Sequence, residues 1–103
     1  MTQPTGIVFE EMAELDLEEI LKKIAAGDSM IGIDLSAVNF RGVDLSGSNL
    51  YFATLKDADL SKANLRSCIL DRANLTGATL ARANLRGASL EKANLLRANL
   101  WHA

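Results

Sequence analysis

The residue types that carry most enzyme chemistry are few and badly placed in this sequence of 103 residues. Its one histidine, His102, stands next to the last residue, and its one cysteine, Cys68, lies far from it in the chain. A Ser-His-Asp or Cys-His nucleophile needs an imidazole beside the attacking atom, and a histidine metal site needs more than one ring, so none of these can be assembled. No Gly-x-Gly-x-x-Gly and no Walker-type loop occurs to cradle a phosphate. What does recur is a side-chain oxygen: Asn or Asp stands at ten of fourteen positions spaced five apart from Asp34 to Asn99. Carboxylates and amides in such a row look like metal ligands. On so regular a spacing they are better read as hydrogen-bond partners of the backbone at bends and in ladders between layers. No catalytic residue, metal ligand or cofactor is expected, and the chain reads as a non-enzyme.

The elements that position this row follow from a second periodicity. A leucine comes directly after each row position, at Leu35, Leu45, Leu50 and then every fifth residue to Leu100, with Phe40 as the one substitute. Directly before each row position stand Ile33, Val38 and Val43, then alanine at nine of eleven positions, with Ser48 and Cys68 as the exceptions. A helix advances about 100° per residue and would smear these leucines around every face. A straight strand would send an odd period to alternate sides. The pattern works if the chain bends once per repeat, so that alanine and leucine point inward and the residue between them points out. The two remaining residues make the corner, where Gly42, Gly47, Gly77 and Gly87 stand. Stacked units then bury a continuous ladder of leucines, as in a solenoid. A rod filled with leucine leaves no cleft, a second reason against an enzyme.

The tandem A-[N/D]-L-x-x motif, as in Ala63-Asn64-Leu65 and Ala98-Asn99-Leu100, resembles the pentapeptide-repeat family over fourteen consecutive repeats without an insertion. The resemblance implies an all-β solenoid: a right-handed quadrilateral β-helix with four repeats per coil, here about 3.5 coils, preceded by an N-terminal α-helical cap. It also implies a small bacterial member of a kind frequent in cyanobacteria. Some members of the family protect or inhibit DNA gyrase by imitating DNA, which takes a long, strongly acidic, dimeric rod. This chain departs from that pattern. Its repeats, residues 31–103, hold nine bases against six acids, a charge of +3, and make a short rod. The favoured reading is therefore a non-enzymatic protein-interaction or scaffold module. The DNA-mimic reading is the alternative, and a gyrase supercoiling assay separates the two.

The first thirty residues differ in kind. They hold seven acids against Lys22 and Lys23, a charge of −5. Residues 1–6 read as a disordered tail, and Ile7-Val8-Phe9 as a short apolar run that packs over the first coil or pairs with its edge. From Asp16 the signals are helical, with Leu17, Ile20, Leu21 and Ile24 on one face. Asp16 with Glu19 reads as an N-cap and Gly27 as a C′ glycine, giving a helix over about 16–26. The expected organisation is a tail and capping helix over 1–30 and a repeat β-helix over 31–103, with Met30 as a degenerate first repeat. The helix would cover an end that otherwise exposes apolar side chains and unpaired backbone. One cysteine fits a reducing compartment, and no apolar run is long enough to span a bilayer or to resemble a signal segment. A cytoplasmic protein without membrane contact is expected.

If residues twenty apart stack, as the family's coil implies, surface columns can be read directly. Lys62 and Arg82 fall in one column and Arg66 and Arg86 in another, around one corner, with Asp59 the only acid close in sequence. This is the candidate patch for an anionic partner. Direct nucleic-acid binding is disfavoured, because it calls for more base with interleaved aromatics. At the other end the final coil has no residues after it to build a lid, and Leu96, Leu100 and Trp101 bring apolar side chains there. They are the candidate contact of a homodimer through the C-terminal coil. Ile69 replaces Asn or Asp in the outward row and marks a further contact position or a lone exposed side chain.

Overall fold

The computed structural model describes residues 16–103. The tail and the Ile7-Val8-Phe9 run lie outside the described residues. The first element, α1, spans Leu17–Ala25, and Asp16 caps it by accepting the Glu19 N–H at 2.9 Å. Its C-terminus closes in a Schellman motif: Asp28 N–H donates to Lys23 O at 2.9 Å and Gly27 N–H to Ile24 O at 3.0 Å. Gly27 takes φ 78°, the left-handed conformation that the motif asks of this position. Ile20 is buried in the main core, with Leu17 and Ile24 packed against it. The polar face carries Glu18 and Glu19 in the first turn and Lys22 and Lys23 in the last, each sign at the favourable end of the helix dipole.

After α1 the chain forms parallel bridges between residues twenty apart, from Asp34↔Thr54 to Thr79↔Asn99. Every bridge falls on the middle residue of a pentamer, and twenty residues are four pentamers, so each coil has four sides. The β-structure consists of isolated bridges rather than extended strands, because a turn interrupts the chain at every pentamer.

Pentamer 61–65 shows why the motif has its composition. Asn64 N–H donates back to Val43 O at 2.9 Å, while Leu65 N–H donates forward to Asn84 O at 2.8 Å. Lys62 N–H donates forward to Ala81 O at 2.9 Å, and Ala63 N–H closes the turn onto Leu60 O at 3.0 Å. One donor is left, the N–H of Ser61, and Asp59 Oδ1 accepts it at 2.9 Å. All five backbone donors are thereby satisfied, as a buried or edge-on backbone requires. The outward Asn or Asp is the acceptor for the donor that ladder and turn leave over, which is the bend role expected of the row. At Ser89, whose side chain replaces the amide, the Glu91 N–H turns instead to Asp71 Oδ1 of the preceding coil at 3.1 Å.

The corner residue is left-handed in repeat after repeat. Gly42 and Gly77 have φ 71° and 70°, and ten non-glycine residues, among them Lys62, Arg72 and Arg82, take φ between 55° and 62°. This is the third residue of a type II turn, where glycine is easiest and other residues carry a strain of about 1 kcal/mol. Glycine at the corner is thus a preference and the stack supplies the rest.

The core is a column of leucines from Leu35 to Leu80 with Phe40 and Met30, lined by Ala53, Ala58, Ala63, Ala73, Ala78 and Ala83. Ile33, Val38 and Val43 are half-buried and pack against the same core. Cys68 is buried, and its Sγ–H donates to Leu45 O at 3.0 Å. Met30 belongs to the core and Gly32 N–H bonds Tyr51 O at 2.8 Å, so the degenerate first repeat joins the stack. Among the described residues no helix is long and apolar enough to cross a membrane.

Candidate interaction surfaces

The four expected bases are exposed and held on backbone that has little freedom. They flank one side of the rod rather than wrap one corner: Lys62 and Arg82 lie in the turn before Asn64 and Asn84, and Arg66 and Arg86 in the turn after them, because each pentamer makes its own turn. Lys62 and Arg82 occupy left-handed corner positions, with φ 59° and 60°. Their N–H groups donate to Ala81 O at 2.9 Å and Trp101 O at 2.8 Å in the next coil. Arg66 and Arg86 follow their row residues, and their N–H groups donate to Asn64 Oδ1 at 3.1 Å and Asn84 Oδ1 at 3.0 Å. The two columns are therefore real at the level of the backbone, with like charges about one inter-strand spacing, ~4.8 Å, apart along the rod. Beside Arg66 a shallow groove of about 360 Å³ is lined by Ser46, Gly47, Asn64 and Ser67. It presents hydroxyls and an amide next to a guanidinium.

Arg82 belongs to two places at once. Its guanidinium carbon lies 4.9 Å from the centre of the Trp101 ring. A cation over an indole face is an attractive contact worth about 0.5–1 kcal/mol at an exposed site. Trp101 also meets the His102 ring edge-on at 4.2 Å. The basic side and the apolar end, read separately from the sequence, are thus joined through Arg82 and Trp101. Leu96, Leu100 and Trp101 are 60%, 43% and 56% exposed, and Leu85, Leu90 and Leu95 of the same last coil are only half-buried.

Three aspartates of the outward row show what the motif does to a carboxyl. At Asp34 the Ser36 hydroxyl donates at 2.7 Å and the Ser36 N–H at 3.0 Å, and together they hold its carboxyl below the usual range. Asp44 and Asp59 are lowered in the same way by Ser46 and Ser61. These oxygens are committed to the turn. A second groove, of about 310 Å³, opens where α1 ends against the first coil and is lined by Asp28, Ser29, Ser46 and Ser48.

Sequence reasoning missed a third surface. Phe52 is 53% exposed at a corner, Tyr51 meets it edge-on at 4.8 Å, and Ile31 is exposed one coil below Tyr51. The available signal was an aromatic pair at 51–52, where most other repeats place polar or small corner residues.

A coil of twenty residues, a left-handed corner in every pentamer and an amide or carboxylate closing ten of the fourteen bends together define one architecture. The family model for pentapeptide repeats matches residues 33–72 and 68–103, in eight copies. The chain belongs to the pentapeptide-repeat family. Among solved structures it is similar to the pentapeptide repeat protein Rfr23 of the cyanobacterium Cyanothece 51142, with 36% identity and a TM-score of 0.59. That match covers 70% of this chain and 56% of the Rfr23 chain, so this chain spans little more than half of that relative's length. A pentapeptide repeat protein of Nostoc PCC 7120 is likewise 36% identical, with a TM-score of 0.65 over 81% of this chain and 74% of that one. HetL of Nostoc sp. strain PCC 7120, a pentapeptide repeat protein involved in heterocyst differentiation regulation, is 32% identical. That match covers 78% of this chain and 36% of that one, with a TM-score of 0.48. No curated protein matches the chain.

Proposed function

We propose that this pentapeptide-repeat chain is a non-enzymatic protein-interaction or scaffold module. In this reading α1 is a helical lid on the first coil, and residues 31–103 are a right-handed, four-sided rod that presents side chains to a partner. The observation that carries it is the side of the rod flanked by Lys62, Arg66, Arg82 and Arg86: exposed cations on a backbone whose N–H groups are tied to neighbouring coils and row amides. Preorganised side chains lose little freedom on binding, so a small surface can give useful affinity. The partner chemistry that fits is an acidic protein face. The single cysteine, buried and unpaired, supports a reducing compartment such as the cytoplasm.

The last coil supports a second contact. Leu96, Leu100 and Trp101, with the half-buried Leu85, Leu90 and Leu95 of the same coil, are the surface we assign to a second copy of the chain, joined in a two-fold dimer with the α1 helices outermost. An interface of this size corresponds to a micromolar, concentration-dependent equilibrium.

The test uses the whole chain as bait in extract from its native source. A genuine acidic partner is retained at low salt, lost as ionic strength rises and lost in the Arg66→Glu/Arg86→Glu variant. Retention that ignores both changes ends the anionic-partner reading. Sedimentation across a concentration range, on the wild type and on Leu96→Glu/Trp101→Glu, tests the dimer separately. A wild type that stays monomeric at high concentration removes it.

A further inference from the structure

Phe52 sits where a large apolar residue is least at home. Among the described residues ten non-glycine side chains occupy left-handed corners, and Phe52 is the only large apolar one; the others are Ala37, Asp57, Ser67, His102 and five Lys or Arg. The left-handed region costs a bulky residue more than it costs Gly or Asn, and at this corner no burial offsets the cost, since the ring is 53% exposed. Strain kept at an exposed position calls for a reason outside the fold.

The surroundings supply one. Tyr51 stands edge-on to the Phe52 ring at 4.8 Å, and Ile31, in the column beneath Tyr51, is 53% exposed. Ile69, which bridges Asn49 one coil on, adds an exposed aliphatic side chain to the same face. Arg72, in the next coil of the Phe52 column, places its guanidinium carbon 5.8 Å from the ring centre, and Lys92 continues that column. The neighbouring Asp71 does not simply cancel these cations. Its Oδ1 accepts from the Ser89 hydroxyl and from the Glu91 N–H, which binds it into the coil ladder.

We infer that the corner formed by Ile31, Tyr51, Phe52 and Arg72 docks an extended segment of another protein, one that carries an apolar side chain followed two residues later by a carboxylate. Strand addition along this side is blocked, because Tyr51 O accepts from Gly32 N–H and Phe52 N–H donates to Asp71 O. Recognition therefore falls to side chains. Coils follow one another every ~4.8 Å, and alternate side chains of an extended chain recur every ~6.6 Å on the same side. An apolar side chain level with Phe52 then puts the carboxylate ~6.6 Å further along the rod, between Arg72 at ~4.8 Å and Lys92 at ~9.6 Å. Cations beside aromatic rings also suit single-stranded nucleic acid. The aliphatic half of the patch, the exposed Ile31 and Ile69, favours a protein segment instead.

The experiment selects a random heptapeptide display library on the immobilised full chain and measures the best peptide by fluorescence anisotropy. The expected result is enrichment of an apolar-x-acid pattern. Binding should weaken about tenfold in Phe52→Asn and severalfold in Arg72→Glu, and hold unchanged in Arg66→Glu. Asparagine accepts the left-handed backbone, so Phe52→Asn removes the ring without straining the corner. Ile31→Ser, which alters no left-handed residue, should give a comparable loss and guards against a folding artefact. Failure to enrich any such pattern, or a peptide that binds Phe52→Asn and Ile31→Ser as tightly as the wild type, overturns the inference. Competition by oligothymidylate for the wild type, but not for Phe52→Asn, would assign the corner to nucleic acid and overturn it equally. The Arg66→Glu arm separates this corner from the basic side, so either surface can fail alone.

Discussion

Replacing Leu65 by alanine is the sharpest test of the stacked core. Leu65 has no exposed surface and lies in a column between Leu45 and Leu85. The change removes about three buried methylene equivalents at ~0.8 kcal/mol each, roughly 2.4 kcal/mol of transfer free energy. The coils above and below are tied by inter-coil hydrogen bonds, among them Leu65 N–H to Asn84 O at 2.8 Å, and cannot close in to fill the void. A residual cavity of roughly 60 Å³ at ~24 cal/mol per Å³ adds about 1.4 kcal/mol, for a total near 4 kcal/mol. Leu100 occupies the same place in its pentamer but is 43% exposed and has no coil above it among the described residues. Its truncation forfeits about half the transfer term and encloses no void, roughly 1.4 kcal/mol. Guanidinium unfolding followed by far-ultraviolet circular dichroism reads the difference, with Lys56→Ala, an exposed corner-side change, as the silent control. Repeat rods can unfold from their ends, so the slope of each transition has to be compared with the wild type before midpoints are converted to free energies. Equal losses for Leu65→Ala and Leu100→Ala would refute a core graded from a closed middle to an open last coil.

Three further outcomes are expected. Ser48 stands in an inward alanine position, and its Oγ is buried without a hydrogen-bond partner among the described atoms; Ser48→Ala should raise stability by about 1 kcal/mol in the same assay, and a loss would show the hydroxyl to be bonded. Burial pushes the Cys68 thiol above its ordinary value of 9.0. Folding thus favours the protonated form, so its stability contribution is complete below that pH and declines as pH rises past it. Cys68→Ala should flatten this alkaline decline, and the native thiol should react with a chromogenic disulfide reagent only upon unfolding. The carboxyls of Asp34, Asp44 and Asp59 are lowered by hydrogen bonds from Ser36, Ser46 and Ser61. Their contribution is present above the ordinary value of 3.8 and is lost as pH falls below it. The Asp34→Asn/Asp44→Asn/Asp59→Asn variant keeps the Oδ1 acceptors and should unfold at lower pH in an acid titration; an unchanged acid midpoint would show these bends not to matter.

The inward and outward assignment was legible in the sequence, because burial and bend chemistry are local. Leucine and alanine two residues apart can share a core only if the chain turns once per pentamer. An amide or carboxylate between them has a single leftover N–H within reach, as Asp59 and Ser61 show. The helix was legible for the same reason, since Asp16, Glu19 and Gly27 are terminus signals that act within one turn. Its ends at Leu17 and Ala25 fall within a residue of the expected span.

Other properties are not local, and only the tertiary structure decided them. Whether a coil closes after four pentamers depends on how small rotations at successive left-handed corners add up, and the bridges between residues twenty apart record that sum. The sequence by itself grouped Lys62, Arg66, Arg82 and Arg86 only once a coil length was supplied from the family. It gave no sign that Arg82 would also sit over the face of Trp101, because the two meet across a coil boundary. The Phe52 corner showed in the sequence only as the aromatic pair at 51–52, for the same physical reason. Ile31, Phe52 and Arg72 are separated by about twenty residues at each step, and each alone is an ordinary exposed side chain in a turn. Stacking, which the period of five permits but does not specify, puts them on one surface.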